Sequence, residues 1–414
     1  EMQRSLVGSE MCIRDRRMRK DWEYKKLGEV CINITDGSHT PPKGIDYSEF
    51  KMISSQNVFD DMLQITDENV RFLTEEQFIK ENKRTNLCKD IVLLTIVGTI
   101  GRCCVLSGNE GSLTLQRSVA ALKPNPELLS RFLMYLLIGN RKKLENEARG
   151  IAQKGVYLKQ LSSLSVPIPP KSTQLAIVAE LDKLNEMIRL KKQQLEDYDQ
   201  LAQSIFYEMF GDPVENEKGW EVKKLGEVCI DITDGDHMPP PKASKGIPFI
   251  TISNINKETR ELNFENTFFV SEEYYNNLKD NRKARLGDLL YTVTGSYGIP
   301  VTVETNIPFC FQRHIALIRP KQNVLSTKYL CFWVLCENVK SMADRAATGI
   351  AQKTVGLNTI RNFKVILPPL PLQQQFAARI EAIEQQKQQV KDAIKDLETL
   401  LASRMQYWFD FTPD

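Results

Sequence analysis

The chain has 414 residues, of which 42% are hydrophobic and 26% charged, with 55 Lys and Arg against 53 Asp and Glu. These are the proportions of an ordinary globular protein with room for two or three domains. No apolar run approaches the roughly 20 residues that cross a bilayer, and no signal-peptide pattern precedes the first structured segment, so no membrane partner is expected and a cytoplasmic location is.

Residues 1–17, EMQRSLVGSEMCIRDRR, have no counterpart later in the chain and no clear period. They are expected to be a non-native leader resembling translated adaptor sequence, with Met18 the start of the protein proper. The stretch WEYKKLGEVCINITDGSHTPP runs from Trp22 to Pro42. Its LGEVCI run reads as strand, with Val30 to Ile34 a short apolar or alternating segment and Cys31 a packing residue. Asp36 and Gly37 then make a tight turn, Pro41 and Pro42 stiffen its exit, and His39 and Lys43 offer donors. Carboxylate, hydroxyl and imidazole stand together here in Asp36, Ser38 and His39, but adjacent turn residues rarely form a catalytic triad.

Further along, Thr74 to Gln77 is a capping-box pattern that opens a helix. Ile91 to Ile96 reads as a strand, and Gly98 to Gly101, with Thr99 and then Arg102, as a loop permitting close approach to a phosphate. Gln116 and Arg117 open a predicted strand that runs through Val119 to Leu122. LLSRFLMYLL from Leu128 reads as a buried helix, and Gln153 and Lys154 sit in a small-residue loop before the proline stop at Pro167 to Pro170.

The same order then repeats. WEVKKLGEVCIDITDGDHMPP runs from Trp220 to Pro240, QRSVAALKP from Gln116 is matched by QRHIALIRP from Gln312, and GIAQK at Gly150 by GIAQK at Gly349. The offset stays between 196 and 199 residues, so both halves should share one fold. The second set of polar candidates is His237, Lys242, Ser296, Tyr297, Gln312, Arg313, Gln352 and Lys353. Strands are predicted at Phe249 to Ile255 and Leu289 to Val293, a helix N-cap at Ser271, and a buried helix from Leu325. The fold class expected is α+β, with domains at 18–170 and 214–370.

The segment after each domain differs in kind. Over 171–213 the apolar positions Ile177, Leu181, Leu184, Ile188, Leu195, Tyr198, Ala202, Ile205 and Met209 recur at spacings of three and four, with Lys191 in register. Over 371–414 the series Phe376, Ile380, Ile383, Lys387, Val390, Ile394, Leu397, Leu401, Arg404 and Trp408 does the same, 199 residues later. That is a coiled-coil seam. Internal two-fold symmetry makes the two helices antiparallel partners, with one domain at each end of a rod. Ser172 to Met209 is the predicted extent of the first.

Charge is uneven. Residues 22–170 hold 19 Lys and Arg against 17 Asp and Glu, and 218–370 hold 20 against 15, whereas 171–213 hold 5 against 8 and 371–414 hold 5 against 7. The positive surplus is on the domains and is modest for a nucleic-acid binder. There is no phosphate-loop, dinucleotide, zinc-protease or nucleophile-elbow motif. Nine cysteines without CxxC spacing and three histidines give no metal site. Gln, Arg and Lys at matched positions in both halves are side chains able to meet base edges or phosphates.

Two α+β domains, each opening on the quoted stretch, carrying the QR and GIAQK motifs and closing on a proline stop and a long helix, resemble the DNA-specificity subunit of type I restriction-modification systems. The resemblance covers essentially everything after Met18. It implies a non-catalytic protein whose two target recognition domains read a bipartite double-stranded DNA site, asymmetric because the halves differ between motifs. It also implies that the helices form a spacer docking two methyltransferase subunits, and that restriction and translocase subunits complete the complex. S-adenosylmethionine, ATP and Mg2+ are then expected on those partners and no cofactor on this chain. The alternative is a protein-protein scaffold whose paired ends never touch DNA; a fused nuclease or methyltransferase is a third reading.

Overall fold

Strands buried on both faces read as unbroken apolar runs, and Val92–Thr95 and Leu289–Thr292 are of that kind. In the computed structural model, which describes residues 22–148, 155–238, 240–349 and 353–409, the chain divides into two compact units, 1–190 with 393–414 and 191–392.

The first unit is built on a four-stranded antiparallel sheet in the order Cys31–Asp36, Val119–Pro124, Val92–Thr95, Cys103–Val105. Successive residues point to opposite faces. Val92, Leu94, Ala120 and Leu122 therefore pack with Phe132, Leu133 and Leu136 of the helix Ser130–Gly139. Leu93, Val119 and Ala121 pack on the other side with Ile53, Leu113 and Leu115. The latter belong to a three-stranded sheet ordered Arg71–Phe72, Lys51–Ile53, Leu113–Leu115. A further antiparallel pair, Glu23–Lys26 with Ser165–Ile168, closes the domain just before its long helix.

The second unit has the same connectivity, which is the repeat made structural. Its main sheet runs Cys229–Asp234, Ile315–Pro320, Leu289–Thr292, Pro300–Thr302. Phe268–Val270, Ile247–Ile250 and Cys310–Phe311 form its three-stranded sheet, and Glu221–Lys224 pairs with Lys364–Leu367. Leu289, Tyr291 and Ile318 face the helix Thr327–Leu335, while Leu290, Ile315 and Leu317 face Ile250, Phe309 and Phe311. Two layers of core on one sheet thus recur in both units.

Several local expectations are corrected. LGEV is one turn of helix in both copies, Leu27–Val30 and Leu225–Val228, not the start of a strand. The cause is local: the carboxylates of Glu29 and Glu227 accept from Lys26 N at 3.0 Å and Lys224 N at 3.1 Å, capping the turn. The strand predicted to reach Ile255 stops at Ile250 and gives way to the 3-10 turn Ile252–Asn254, because Asn254 Oδ1 caps Thr251 N at 3.0 Å. Thr74 and Ser271 cap their helices as expected, accepting from Gln77 N and Tyr274 N. The long helices are Lys171–Phe210 and Leu370–Phe409, each 40 residues and slightly longer than the seam pattern alone marks. The second begins inside its proline stop, since Pro371 in the first turn has no intrahelical donor to lose.

Of the seam positions, Leu181, Leu184, Ile188, Ile380, Ile383, Val390 and Ile394 are buried, whereas Leu195 and Leu397 are half-buried. Each helix start is fixed to its own domain by a fully buried glutamine. Gln174 Oε1 accepts from Leu129 N at 2.9 Å, and its Nε2 donates to Glu127 O at 2.8 Å and Pro169 O at 2.9 Å. Gln373 repeats this with Ser326 N at 2.9 Å, Val324 O at 3.0 Å and Pro368 O at 2.9 Å. The end of the second long helix belongs to the first unit. There Trp408 stacks on Trp22, Phe409 meets Phe132 edge-on, and Glu180 receives bonds from Arg404 and Trp408 Nε1.

Burial pushes the thiols of Cys31 and Cys229 up to about 12, so they stay protonated at ordinary pH. Among the described cysteines Cys88 is exposed. Alkylation of the native protein at pH 8 is therefore expected to modify Cys88 and to reach Cys31 and Cys229 only after unfolding. Fast labelling of either buried thiol, read by peptide mass spectrometry, would contradict the packing described.

Candidate nucleic-acid interface

In each unit the repeated motifs fall at one end of the main sheet, because two strands end there and two begin. In the first unit Asp36 lies opposite Ala120, and Val119 opposite Thr95. The turns at that end are laced together by backbone bonds. Ser38 N donates to Leu115 O at 2.8 Å, Arg117 N to Ser38 O at 2.9 Å, Gln116 N to Ile53 O at 2.9 Å and Ile96 N to Ser118 O at 2.9 Å. Gly37 is required by this lacing, since a Cβ there would collide with the carbonyl of Leu115. Gly98 and Gly101 bring in the next loop with φ of 82° and 87°, the left-handed region that favours glycine.

The second unit assembles the same set. Asp236 bridges to Gln312, Arg313 N donates to Asp236 O at 3.1 Å, and Gln312 N to Ile250 O at 3.1 Å. Gly235 stands against the Phe311 carbonyl as Gly37 does against Leu115. Gly295 N donates to Lys353 O at 3.1 Å, and Thr294 bridges to Thr354. In the first unit Val97 likewise bridges to Gly155. Gly155, which follows the first GIAQK segment, and Lys353, the last residue of the second, thus lie beside the glycine loops.

The side chains divide into those turned outward and those held within the unit. Arg117, Arg313, Lys43, Thr99 and Lys353 are exposed, and Gln116 and Gln312 half-buried. Gln116 and Arg117 do not open the strand as predicted. They occupy the turn before it, which begins at Val119, because Gln116 is bridged to Ser38. His39 is not a loose donor: its Nε2 lies 2.7 Å from Asp36 Oδ2, as His237 Nε2 lies 2.9 Å from Asp234 Oδ2. Arg102 spreads over the Phe59 ring at 4.6 Å, and Lys242 over Phe268 at 5.1 Å, so cation-π contact draws both against their own domains. Tyr297 gives its hydroxyl to Asp344 at 2.7 Å, and Ser296 accepts from Lys257 Nζ at 2.8 Å. Gln153, Lys154 and Gln352 lie outside the described residues.

Charged residues not singled out from the sequence brace these turns. Arg84, in the last turn of the helix Glu75–Thr85, is ion-paired with the buried Asp36. Arg282 reaches Asp234 at 3.7 Å and Asp236 at 3.6 Å. The two arginines are 198 residues apart, so the repeat offset itself was the available signal. Among the described residues no cluster of three or more His, Cys, Asp or Glu could hold a metal ion. Nor, among them, is any helix long and apolar enough to cross a membrane.

Two units of one topology, each gathering the same turns at the same sheet end but displaying different side chains there, define a protein with two related and unequal polar faces. The family model described as type I restriction modification DNA specificity domain matches residues 19–197 and again 217–398, and the chain belongs to that family. It is 23% identical over 395 residues to the type I restriction enzyme MjaIX specificity subunit of Methanocaldococcus jannaschii, covering 89% of this chain and 88% of that one. Over 325 residues it is 22% identical to the EcoBI specificity subunit of Escherichia coli, covering 71% and 68%. Among solved structures, a chain from work on complex assembly and conformational transition of a type I R-M system aligns with a TM-score of 0.57 at 19% identity, over 94% of this chain and 97% of that one. The S subunit from M. genitalium aligns at 0.50 and 15% identity, over 95% and 96%. These relatives are named as specificity subunits of type I restriction enzymes.

Proposed function

We propose that the chain reads a split, asymmetric double-stranded DNA site, one half with the turns of each unit, and directs adenine methylation or cleavage carried out by partner subunits. One observation carries this reading: the two units place matched turns at the same sheet end, yet Ser38 becomes Asp236, Thr40 becomes Met238 and Ser118 becomes His314. Two unlike faces on one scaffold suit two unlike half-sites. Arg117, Arg313, Lys43 and Lys353 supply phosphate contacts, and Gln116 and Gln312 reach base edges.

The two long helices pair as an antiparallel coiled coil that sets the distance between half-sites. Supporting contacts run in opposite senses along the chain: Lys387 Nζ donates to Asp199 at 2.9 Å, and Phe376 packs edge-on to Phe206 at 5.6 Å. The domain ranges 18–170 and 214–370 are the readers, and 171–213 and 371–414 the spacer. Two methyltransferase subunits and restriction and translocase subunits, holding S-adenosylmethionine, ATP and Mg2+, complete a cytoplasmic complex.

Methylome sequencing of the host before and after deletion of the gene tests this reading. A split, asymmetric adenine motif should vanish on deletion, and exchange of residues 22–170 for another recognition domain should change one half only. A motif that survives deletion leaves the scaffold reading in its place.

A further inference from the structure

The turn before the strand Ile315–Pro320 contains an arrangement that its counterpart lacks. Gln312 Nε2 lies 2.5 Å from His314 Nδ1, and Arg313 Nε lies 3.4 Å from His314 Nε2. At the matching positions of the first unit the sequence reads Gln116, Arg117, Ser118. There the Ser118 hydroxyl accepts from Ser55 N at 3.0 Å. No side-chain partner holds Gln116 among the described residues.

The backbone beneath the second arrangement is fixed, with Gln312 N bound to Ile250 O at 3.1 Å and His314 O accepting from Val293 N at 2.9 Å. Burial, with Arg313 beside it, holds the His314 ring below the ordinary imidazole value, so the ring is neutral at neutral pH. A neutral imidazole has one donor and one acceptor nitrogen, and a guanidinium can only donate. The nitrogen facing Arg313 is therefore the acceptor, and the ring proton sits on Nδ1. Nδ1–H needs an acceptor in turn. A half-turn of the Gln312 amide, which exchanges two ends of nearly equal shape, brings Oε1 to it and turns the NH2 group away from the ring.

We propose that Gln312 reads one base pair in the half-site of the second unit through an outward NH2 group, with His314 as the positioning residue that fixes the amide. The edge such a donor fits is one of acceptors only, as the N7 and O6 of guanine provide in the major groove. An unheld glutamine samples several rotamers and can present either end of its amide, so it discriminates poorly; Gln116 is in that condition. This inference rests on the DNA-reading proposal and deepens it.

Selection of randomised duplexes by the full chain, followed by sequencing, tests it. The unaltered chain should enrich a two-part motif with guanine at one position of one half. H314L and Q312A should each lose roughly tenfold discrimination at that same position while the other half is unchanged. H314N, whose side-chain amide can donate from the place of Nδ1, should restore it. The proposal is overturned if H314L and Q312A leave every base ratio as it was, if they act at different positions, or if the position they share favours adenine or cytosine. Should H314L lose the whole half-site through misfolding, Q312A and H314N decide between the same outcomes. Enrichment of no motif by the unaltered chain would instead refute the DNA-reading proposal itself.

Discussion

Phe409→Ala is expected to destabilise the first unit by about 3–5 kcal/mol, the range for a buried Phe truncated to Ala, although Phe409 stands at the far end of the sequence. Phe409 is fully buried, meets Phe132 with ring centroids 5.6 Å apart, and lies so close to Gly139 that a Cβ there would come within 2.8 Å of its own Cβ. In the same core Trp22 and Trp408 are already stacked on each other, with ring centroids 6.4 Å apart. The measurement is native-state hydrogen exchange. Protection of Val92 to Thr95 should fall steeply while that of Leu289 to Thr292 holds. Equal loss in both strands would show that the two units unfold together. The matched residue, Phe210, packs on Tyr329 and Phe376 at 4.8 and 5.3 Å, and Phe210→Ala should produce the mirror result.

Gln174→Leu is expected to cost about 3 kcal/mol despite improving the apolar pattern of its helix. The side chain is fully buried, and removing its amide strands three partners, the N–H of Leu129 and the carbonyls of Glu127 and Pro169. Each buried backbone group left unpaired loses roughly 1–3 kcal/mol, and burial of the leucine returns only part of that. Gln174→Glu separates the contributions. It keeps shape and the acceptor for Leu129 N but removes the donor to both carbonyls, so it too should destabilise, and less at low pH, where the carboxyl is protonated and can donate again. Thermal melts of the three proteins across pH would decide. A Leu variant as stable as the parent would mean that water replaces the amide.

Much of the fold is legible because the chain states it twice. Short apolar runs bounded by glycine and proline locate the sheet strands, and the capping patterns at Thr74 and Ser271 locate helix starts, since both signals are local. Leu27–Val30 misleads for a related reason. Its apolar spacing suits a strand, and only the carboxylate of Glu29 folding back on Lys26 N makes it a turn of helix. Of the candidate site residues, the exposed Arg117, Arg313, Lys43, Thr99 and Lys353 stand where the motif order suggests. Arg102, Lys242 and Tyr297 do not extend outward, because a nearby ring or carboxylate captures each. No spacing rule reports such capture, since the partner comes from a distant segment.

By itself, then, the sequence determined that there are two copies of one domain, where each strand and helix roughly lies, and that each domain precedes a long amphipathic helix. Periodicity and repetition are properties of neighbouring positions, and they can be read before any fold is known. Only the tertiary structure decided that the end of the second helix completes the core of the first unit, that buried glutamines fix both helix starts, and that His314 holds Gln312 while Gln116 stands unheld. Those facts depend on which distant groups satisfy one another once water is excluded, and hydrogen-bond satisfaction in a core is a property of three-dimensional closure.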